Sequence, residues 1–273
     1  MFSRDRKTGV TEKMFVDTHA HLQWESFDDD REDVLERAKE KHVTRIVNIG
    51  FDIAGSLKGV NIAEKYGGLY ATVGIHPHSA NTLTTKIVDK LREIAVNPKV
   101  VAIGEIGLDY YRNFSPREVQ KQAFETQLAL ARELELPVVI HDREAHDDIL
   151  QALSRFKGEI KGVMHCFSGN KEMAQQCIDL GFKIAFNGTI TYPKNHELRK
   201  IVEWIDLKSM LLETDCPWLA PQEVRGKRNE PSFLPMIAKE IAKLKRISVN
   251  DLAEITTRNA KENLKMTSTP CED

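Results

Sequence analysis

The sequence predicts a single (β/α)8 barrel whose chemistry lies at the carboxyl ends of its strands. Eight short runs of β-branched and aliphatic residues recur along the chain, separated mostly by amphipathic stretches of helical period, with no Gly/Ser-rich linker or break in composition. The runs are apolar throughout, as parallel strands buried on both faces must be. Six of them stop at His, Glu or Asp: FVDTHAH (15–21), LYATVGIH (69–76), VVAIGE (100–105), PVVIH (137–141), KGVMH (161–165) and MLLETD (210–215). An open doubly wound sheet is the competing architecture. It would gather its ligands at one switch point, whereas these endings are spread over strands one, three, four, five, six and eight.

In chain order, strands are expected near 15–19, 45–50, 69–75, 100–105, 137–141, 162–166, 183–187 and 210–214. Helical periodicity is expected over 29–41, 86–96, 117–135, 144–156, 171–180 and 195–203, and two further helices, 232–245 and 249–264, close the chain. The segment from Arg117 to Leu136 repeats apolar positions at three and four, and Ser115-Pro116 reads as its start, with proline in the first turn. Met14 directly precedes the first strand. Residues 1–13 therefore read as an N-terminal extension expected to be flexible, residues 14–266 as the barrel, and residues 267–273 as a C-terminal tail.

Lys plus Arg (39) nearly cancels Asp plus Glu (41), so global charge argues for neither nucleic-acid nor membrane binding, and either would need a local basic patch. No apolar run approaches the ~18 residues of a membrane span, and no membrane partner is expected. Cys166, Cys177, Cys216 and Cys271 have no CxxC spacing, which fits a reduced, cytoplasmic chain better than a disulfide framework. The polar opening MFSRDRKTGVTEK has no hydrophobic region of the secretory kind. A monomer is expected.

His19 and His21, two apart at a strand end, project to one face and form a natural clamp for a divalent ion. Glu105 closes an apolar strand, where a carboxylate is costly unless it is paired or metal-bound. His141 and His165 each follow four or five apolar residues, and either alone is ordinarily a satisfied core histidine. Asp215 precedes Cys216-Pro217, where capping a turn is the ordinary use of Asp. In a barrel all six point to one mouth. Four imidazoles and two carboxylates suffice for two divalent cations if one carboxylate bridges, and Glu105 is the candidate bridge. Such a pair activates a water for hydrolysis, with Asp215 both ligating and accepting the proton. The imidazole-rich set suits Zn, Mn, Ni or Fe better than Mg, and the ion's identity stays open among them.

The segments DTHAH (17–21), VGIHPH (73–78), GEIGLDYYR (104–112), LPVVIHDREA (136–145), HCFSG (165–169), ETDCPWLAP (213–221) and RGKRNEP (225–231) together resemble the TatD family of metal-dependent deoxyribonucleases, among the amidohydrolase-like TIM barrels. The likeness runs from residue 15 to about 264. It implies a dinuclear hydrolase of nucleic-acid phosphodiesters, often a 3′→5′ exonuclease on single-stranded DNA, with RNA also open. It implies that His19, His21, Glu105 and Asp215 hold one metal and Glu105, His141 and His165 the other. It also marks His76 and Glu213 as active-site neighbours: His76 for a substrate phosphate, Glu213 for supporting a ligand, with a structural role open for both.

Handling of DNA needs local positive charge, which Arg225, Lys227 and Arg228 offer after strand eight, with Arg112 and Arg143 as lesser phosphate-binding candidates. The same basic run also reads as a solvated loop. Tyr110, Tyr111, Phe114 and Trp218 lie in mouth loops, where they either stack on bases or pack the lid. The alternative activity is that of an amidohydrolase or deaminase acting on a small C–N substrate through the same site. Related barrels often bridge their metals with a modified lysine, and Glu105 in that place favours the phosphodiesterase.

Overall fold

The computed structural model describes residues 14–266, so the expectations for residues 1–13 and 267–273 fall outside it. Eight parallel strands follow one another in chain order, β1 (Phe15–Ala20), β2 (Val43–Asn48), β3 (Leu69–Val73), β4 (Val100–Asp109), β5 (Val138–Arg143), β6 (Gly162–Met164), β7 (Phe182–Phe186) and β8 (Met210–Leu212). Each is followed by a helix: α1 (Arg31–Glu40), α2 (Ile53–Lys65), α3 (Thr85–Ala95), α4 (Arg117–Glu133), α5 (His146–Ser154), α6 (Lys171–Asp179), α7 (His196–Trp204) and α8 (Leu234–Lys245). A ninth, α9 (Val249–Asn263), closes the described chain. This is the (β/α)8 barrel that the apolar runs predict, and no helix among the described residues is long and apolar enough to cross a membrane.

Outward residues such as Ile46, Ile103, Ile140, Ile184 and Leu212 join the helices in one large core, while Val16, Val47, Tyr70, Val101, Val139, Val163, Ala185 and Leu211 fill the barrel interior. Leu264 and Met266 pack into that same inner cluster, so the chain beyond α9 stoppers the barrel. The inner layer fixes the layer above it. A strand's side chains repeat every two residues, so Val139, Val163, Ala185 and Leu211 are followed on the same face by His141, His165, Asn187 and Glu213.

Regular pairing runs from β1 to β8, but β8 returns to β1 through one bridge, Ala20 to Cys216, and a set of side-chain bonds. Thr214 donates from its N–H to Asp17 Oδ1 (2.9 Å) and from its hydroxyl to Asp17 Oδ2 (2.6 Å). The Asp215 N–H donates to His19 O (2.8 Å) and the His21 N–H to Cys216 O (2.8 Å). The seam of the barrel is thus where His19, His21 and Asp215 meet.

Three elements differ from expectation. Helix α2 carries Gly55, Ser56 and Gly59, whose weak helix propensity hid it. Those small residues are buried, which lets the helix pack close, and Asp52 caps it by accepting the Gly55 N–H (2.6 Å). Strand β4 continues four residues past Glu105 to Asp109. Pro116 stands at the N-cap of α4 with extended backbone, outside the first turn.

Candidate metal centre

All six expected ligands meet at the carboxyl end of the barrel, and Glu105 stands at their centre. Its Oε2 faces His19 Nε2 at 3.6 Å and His21 Nε2 at 3.8 Å. Asp215 Oδ1 closes this first group at 3.6 Å from each imidazole, whose two Nε2 atoms are 3.1 Å apart. The other oxygen, Oε1, faces His141 Nδ1 at 2.8 Å, His165 Nε2 at 3.2 Å and His76 Nε2 at 3.5 Å. One carboxylate thus addresses two separate sets of lone pairs.

The donor set fits divalent cations. Two imidazole nitrogens 3.1 Å apart can share only one proton, and two carboxylate oxygens face the same point, so a cation between them satisfies all four atoms. The electrostatics agree. Burial would raise Glu105, but His165, His76 and His141 hold it well below the usual carboxylate range. Burial would lower His165, yet Glu213 and Glu105 hold it well above the usual imidazole value. Burial likewise opposes a charged His141, and its bonds to Asp109 and Glu105 still push it up to about 9. His19 goes down through burial and through the parallel His165 ring stacked 3.7 Å away. A divalent cation would take the place of the protons that His141 and His165 carry here.

Polar groups behind the cluster aim it. His141 presents its other nitrogen, Nε2, to Asp109 Oδ2 at 3.2 Å, and His78 Nε2 meets the same oxygen at 2.8 Å. Glu213 is fully buried behind His165, with Oε1 accepting the Cys166 N–H (2.7 Å) and an Asn187 amide hydrogen (3.3 Å). It stands 3.3 Å from His165 Nδ1, near enough to pair charges but not aligned as a hydrogen bond. Asp109, His78 and Asn187 were not singled out in the sequence. The signal for Asp109 is its place four residues after Glu105 on a strand, hence on the same face. Gly107 between them has φ +145°, and a Cβ there would sit 2.0 Å from the His141 carbonyl oxygen, so only glycine lets β4 lie this close to β5.

His76 accepts the His78 N–H at Nδ1 (3.1 Å), which leaves its proton on Nε2, facing the cluster. Burial pushes it down to about 4, so it is a neutral donor at the rim.

The basic candidates separate into two kinds. Arg228 forms a bidentate pair with Asp30, with bonds of 2.8 and 2.6 Å, and also donates to Ser26 O. That pairing ties the loop after β8 to the start of α1, against the expectation that Arg228 is available to substrate. Arg225, Lys227, Arg112 and Arg143 are exposed, with Arg225 over Tyr192 (4.6 Å) and Arg143 over Tyr111 (3.9 Å). Tyr110 is committed to Asp148 through a 2.6 Å hydrogen bond, whereas Tyr111, Phe114 and Trp218 are exposed.

The model of the TatD-related DNase family matches residues 16–265. An uncharacterized metal-dependent hydrolase of Bacillus subtilis, YabD, is 43% identical over 91% of this chain and 98% of its own length. A protein of Erwinia amylovora named 3′-5′ ssDNA/RNA exonuclease TatD is 38% identical over 90% of this chain and 97% of its own. The crystal structure of YjjV, a TatD homologue from Escherichia coli, superposes with a TM-score of 0.88 at 31% identity, covering 93% of this chain and 98% of that one. With the family model matched over residues 16–265 and relatives of 38–43% identity covering about nine-tenths of its length, the chain belongs to the TatD-related DNase family of metal-dependent hydrolases.

Proposed function

We propose that the chain is a two-metal phosphodiesterase that shortens single-stranded DNA, and RNA, from the 3′ end. The observation that carries this reading is Glu105, whose two oxygens face two separate donor sets. His19, His21, Glu105 and Asp215 would hold one divalent cation, and Glu105, His141 and His165 the other. When bound, the two cations would lower the pKa of a water and draw charge from a phosphodiester oxygen. Of the two carboxylates among the ligands, that of Asp215 is the more open, 12% exposed against 5% for Glu105, which suits it to take the attacking water's proton. The His76 Nε2–H would donate to a phosphate oxygen. Glu213 and Asp109, closed off from the mouth, would orient His165 and His141. Arg112, Arg143, Arg225 and Lys227 would follow the strand's phosphates.

The ions would be divalent, with the imidazole-rich set favouring Zn, Mn, Ni or Fe over Mg. The six ligands and His76 all belong to one chain, so the proposed site needs no second subunit. The name of the Erwinia relative supports the substrate and polarity proposed.

The test is incubation of metal-reconstituted protein with end-labelled single- and double-stranded oligonucleotides, a generic phosphodiester and a panel of amides. A ladder shortening from the 3′ end, abolished by EDTA and restored by divalent ions, is expected. Amide turnover without phosphodiester turnover would replace this reading with the C–N hydrolase, and activity indifferent to chelation would eliminate the two-ion site.

A further inference from the structure

Among the described residues, the aromatic side chains that are strongly exposed are Tyr111 (54%), Phe114 (67%) and Trp218 (42%), and all three lie in loops at the mouth of the barrel. Solvent-facing aromatics gathered at one rim mark a binding surface. They are not equivalent. Arg143 covers the Tyr111 ring at 3.9 Å, and Phe114 leans on His78 at 4.9 Å. Trp218 instead touches the ligand cluster directly, with its ring 5.1 Å from that of His21.

Trp218 is also held. Its backbone N–H donates to Asp215 O (3.0 Å), and its backbone carbonyl accepts from the Asn229 side-chain amide (2.6 Å). Its ring meets Trp24 at 5.1 Å, Trp24 meets Phe51 at 5.4 Å, and Phe51 returns to His21 at 6.0 Å. A closed quartet of rings thus braces an indole whose remaining surface stays open to solvent beside the reacting centre. Pre-ordered planar surface of this kind suits a nucleobase, because every base has a π-face and stacking needs no particular hydrogen-bond pattern.

Resting on the phosphodiesterase reading above, we infer that Trp218 stacks on the base of the nucleotide whose phosphate lies at the ion cluster, so that the enzyme demands a base at that position without selecting which base. The preference would come from ring contact alone, and the four bases would be removed at similar rates. Trp24 and Phe51 position Trp218 without touching substrate.

The test uses oligonucleotides carrying a tetrahydrofuran abasic residue at each of the last three positions in turn. Wild type should lose roughly 5- to 150-fold in kcat/KM at one of these positions, the range that loss of one base–aromatic stack gives. In Trp218→Ala the abasic and base-bearing strands should be cleaved within about twofold of one another, while Trp218→Phe keeps an intermediate preference. Because each comparison is a ratio within one variant, a general loss of folding or metal cancels. Single-stranded oligonucleotide should also quench tryptophan fluorescence in the metal-loaded wild type, and less in Trp218→Ala. Oligonucleotide cleavage that is indifferent to abasic residues in wild type, or full discrimination surviving in Trp218→Ala, overturns the stacking role while leaving the phosphodiesterase intact. Neither cleavage nor quenching in wild type would bring down both.

Discussion

Replacing Asp109 with asparagine tests whether the groups behind the ligands set the metal centre. Asp109 is buried and accepts from three directions: Oδ2 takes His141 Nε2 (3.2 Å) and His78 Nε2 (2.8 Å), and Oδ1 takes the Arg112 N–H (2.7 Å). Asparagine has the same shape but one acceptor oxygen. Turned toward the histidines, that oxygen leaves its NH2 against the Arg112 N–H; turned the other way, the NH2 opposes two imidazole N–H groups. Each orientation strands at least one buried donor, at about 1–3 kcal/mol. Either way His141 exchanges a charged acceptor for a neutral one or for none, which weakens the contact that fixes which nitrogen it offers to Glu105, and losses of this kind cost about 10- to 100-fold in metal affinity or activity.

Calorimetric titration of the metal-free protein with Mn or Zn should show one of two sites weakened by that factor, with kcat/KM falling in parallel. Gln120→Ala is the control. It removes the side chain that accepts the Asp109 N–H (2.8 Å) and donates to the Asp109 carbonyl (3.1 Å), so it loosens the strand end without exchanging the acceptor at His141. It should lower Tm more than it lowers metal affinity. If Asp109→Asn binds both ions within twofold of wild type and turns over normally, the orienting role of Asp109 is wrong.

Glu105→Gln keeps the volume of the bridge and removes its charge, so turnover should fall to background with an unchanged far-UV circular dichroism spectrum; a variant that still cleaves would dismiss the bridging carboxylate. Removing both Arg225 and Lys227 should flatten the salt dependence of KM on single-stranded oligonucleotides by up to about 0.7 log units per log unit of salt for each charge. Arg228→Ala should leave that slope unchanged and lower Tm by roughly 2–4 °C through loss of the Asp30 pair; a slope that follows Arg228 and ignores the other two would reverse this assignment. Burial would raise the Glu230 carboxyl, but the Arg37 and Ser232 hydrogen bonds outweigh it and hold the group below its ordinary value. A depressed folded value means stability that is present above the unfolded value and lost as pH falls through the folded one. The Tm gap between wild type and Arg37→Ala should therefore close as the pH is lowered from 6 to 3, and a gap independent of pH would rule out this pair as its source.

The barrel was legible because buried parallel strands write themselves as unbroken apolar runs, and the ligands because a charged or imidazole group ending such a run is conspicuous. What lay beyond that transition was hidden. Asp109 follows GEIGL, which reads as the start of a loop, and only the unexpected extension of β4 turns it into a neighbour of His141. Helix α2 was invisible because tertiary packing overrides the poor propensity of its glycines. The basic loop shows the opposite limit. Arg225 and Arg228 are three residues apart and chemically alike, yet one is exposed over a tyrosine while the other is locked to Asp30, nearly two hundred residues away in sequence. Composition carries no trace of a pairing at that distance.

Glu105 faces both donor sets because the backbone around it leaves little room for error. Its N–H donates to Gly50 O at 2.6 Å, which pins β4 to the end of β2 at the level where Oε2 must reach His19 and His21. On the other side, a Cβ on Gly104 would lie 2.7 Å from Val139 Cβ, so β4 and β5 approach more closely than any side chain at that position permits. Oε1 must reach His141 on β5, and the 2.8 Å contact to Nδ1 depends on that approach. A carboxylate has a span of only about 2.2 Å between its oxygens, fixed by ordinary bond lengths and angles. The two donor sets can therefore be served together only while both neighbouring strands hold their distance. On this view the glycines of GEIG and the apolar layer beneath His141 and His165 are as much part of the metal centre as the imidazoles. Catalytic geometry in this chain is set by strand spacing before it is set by ligand identity.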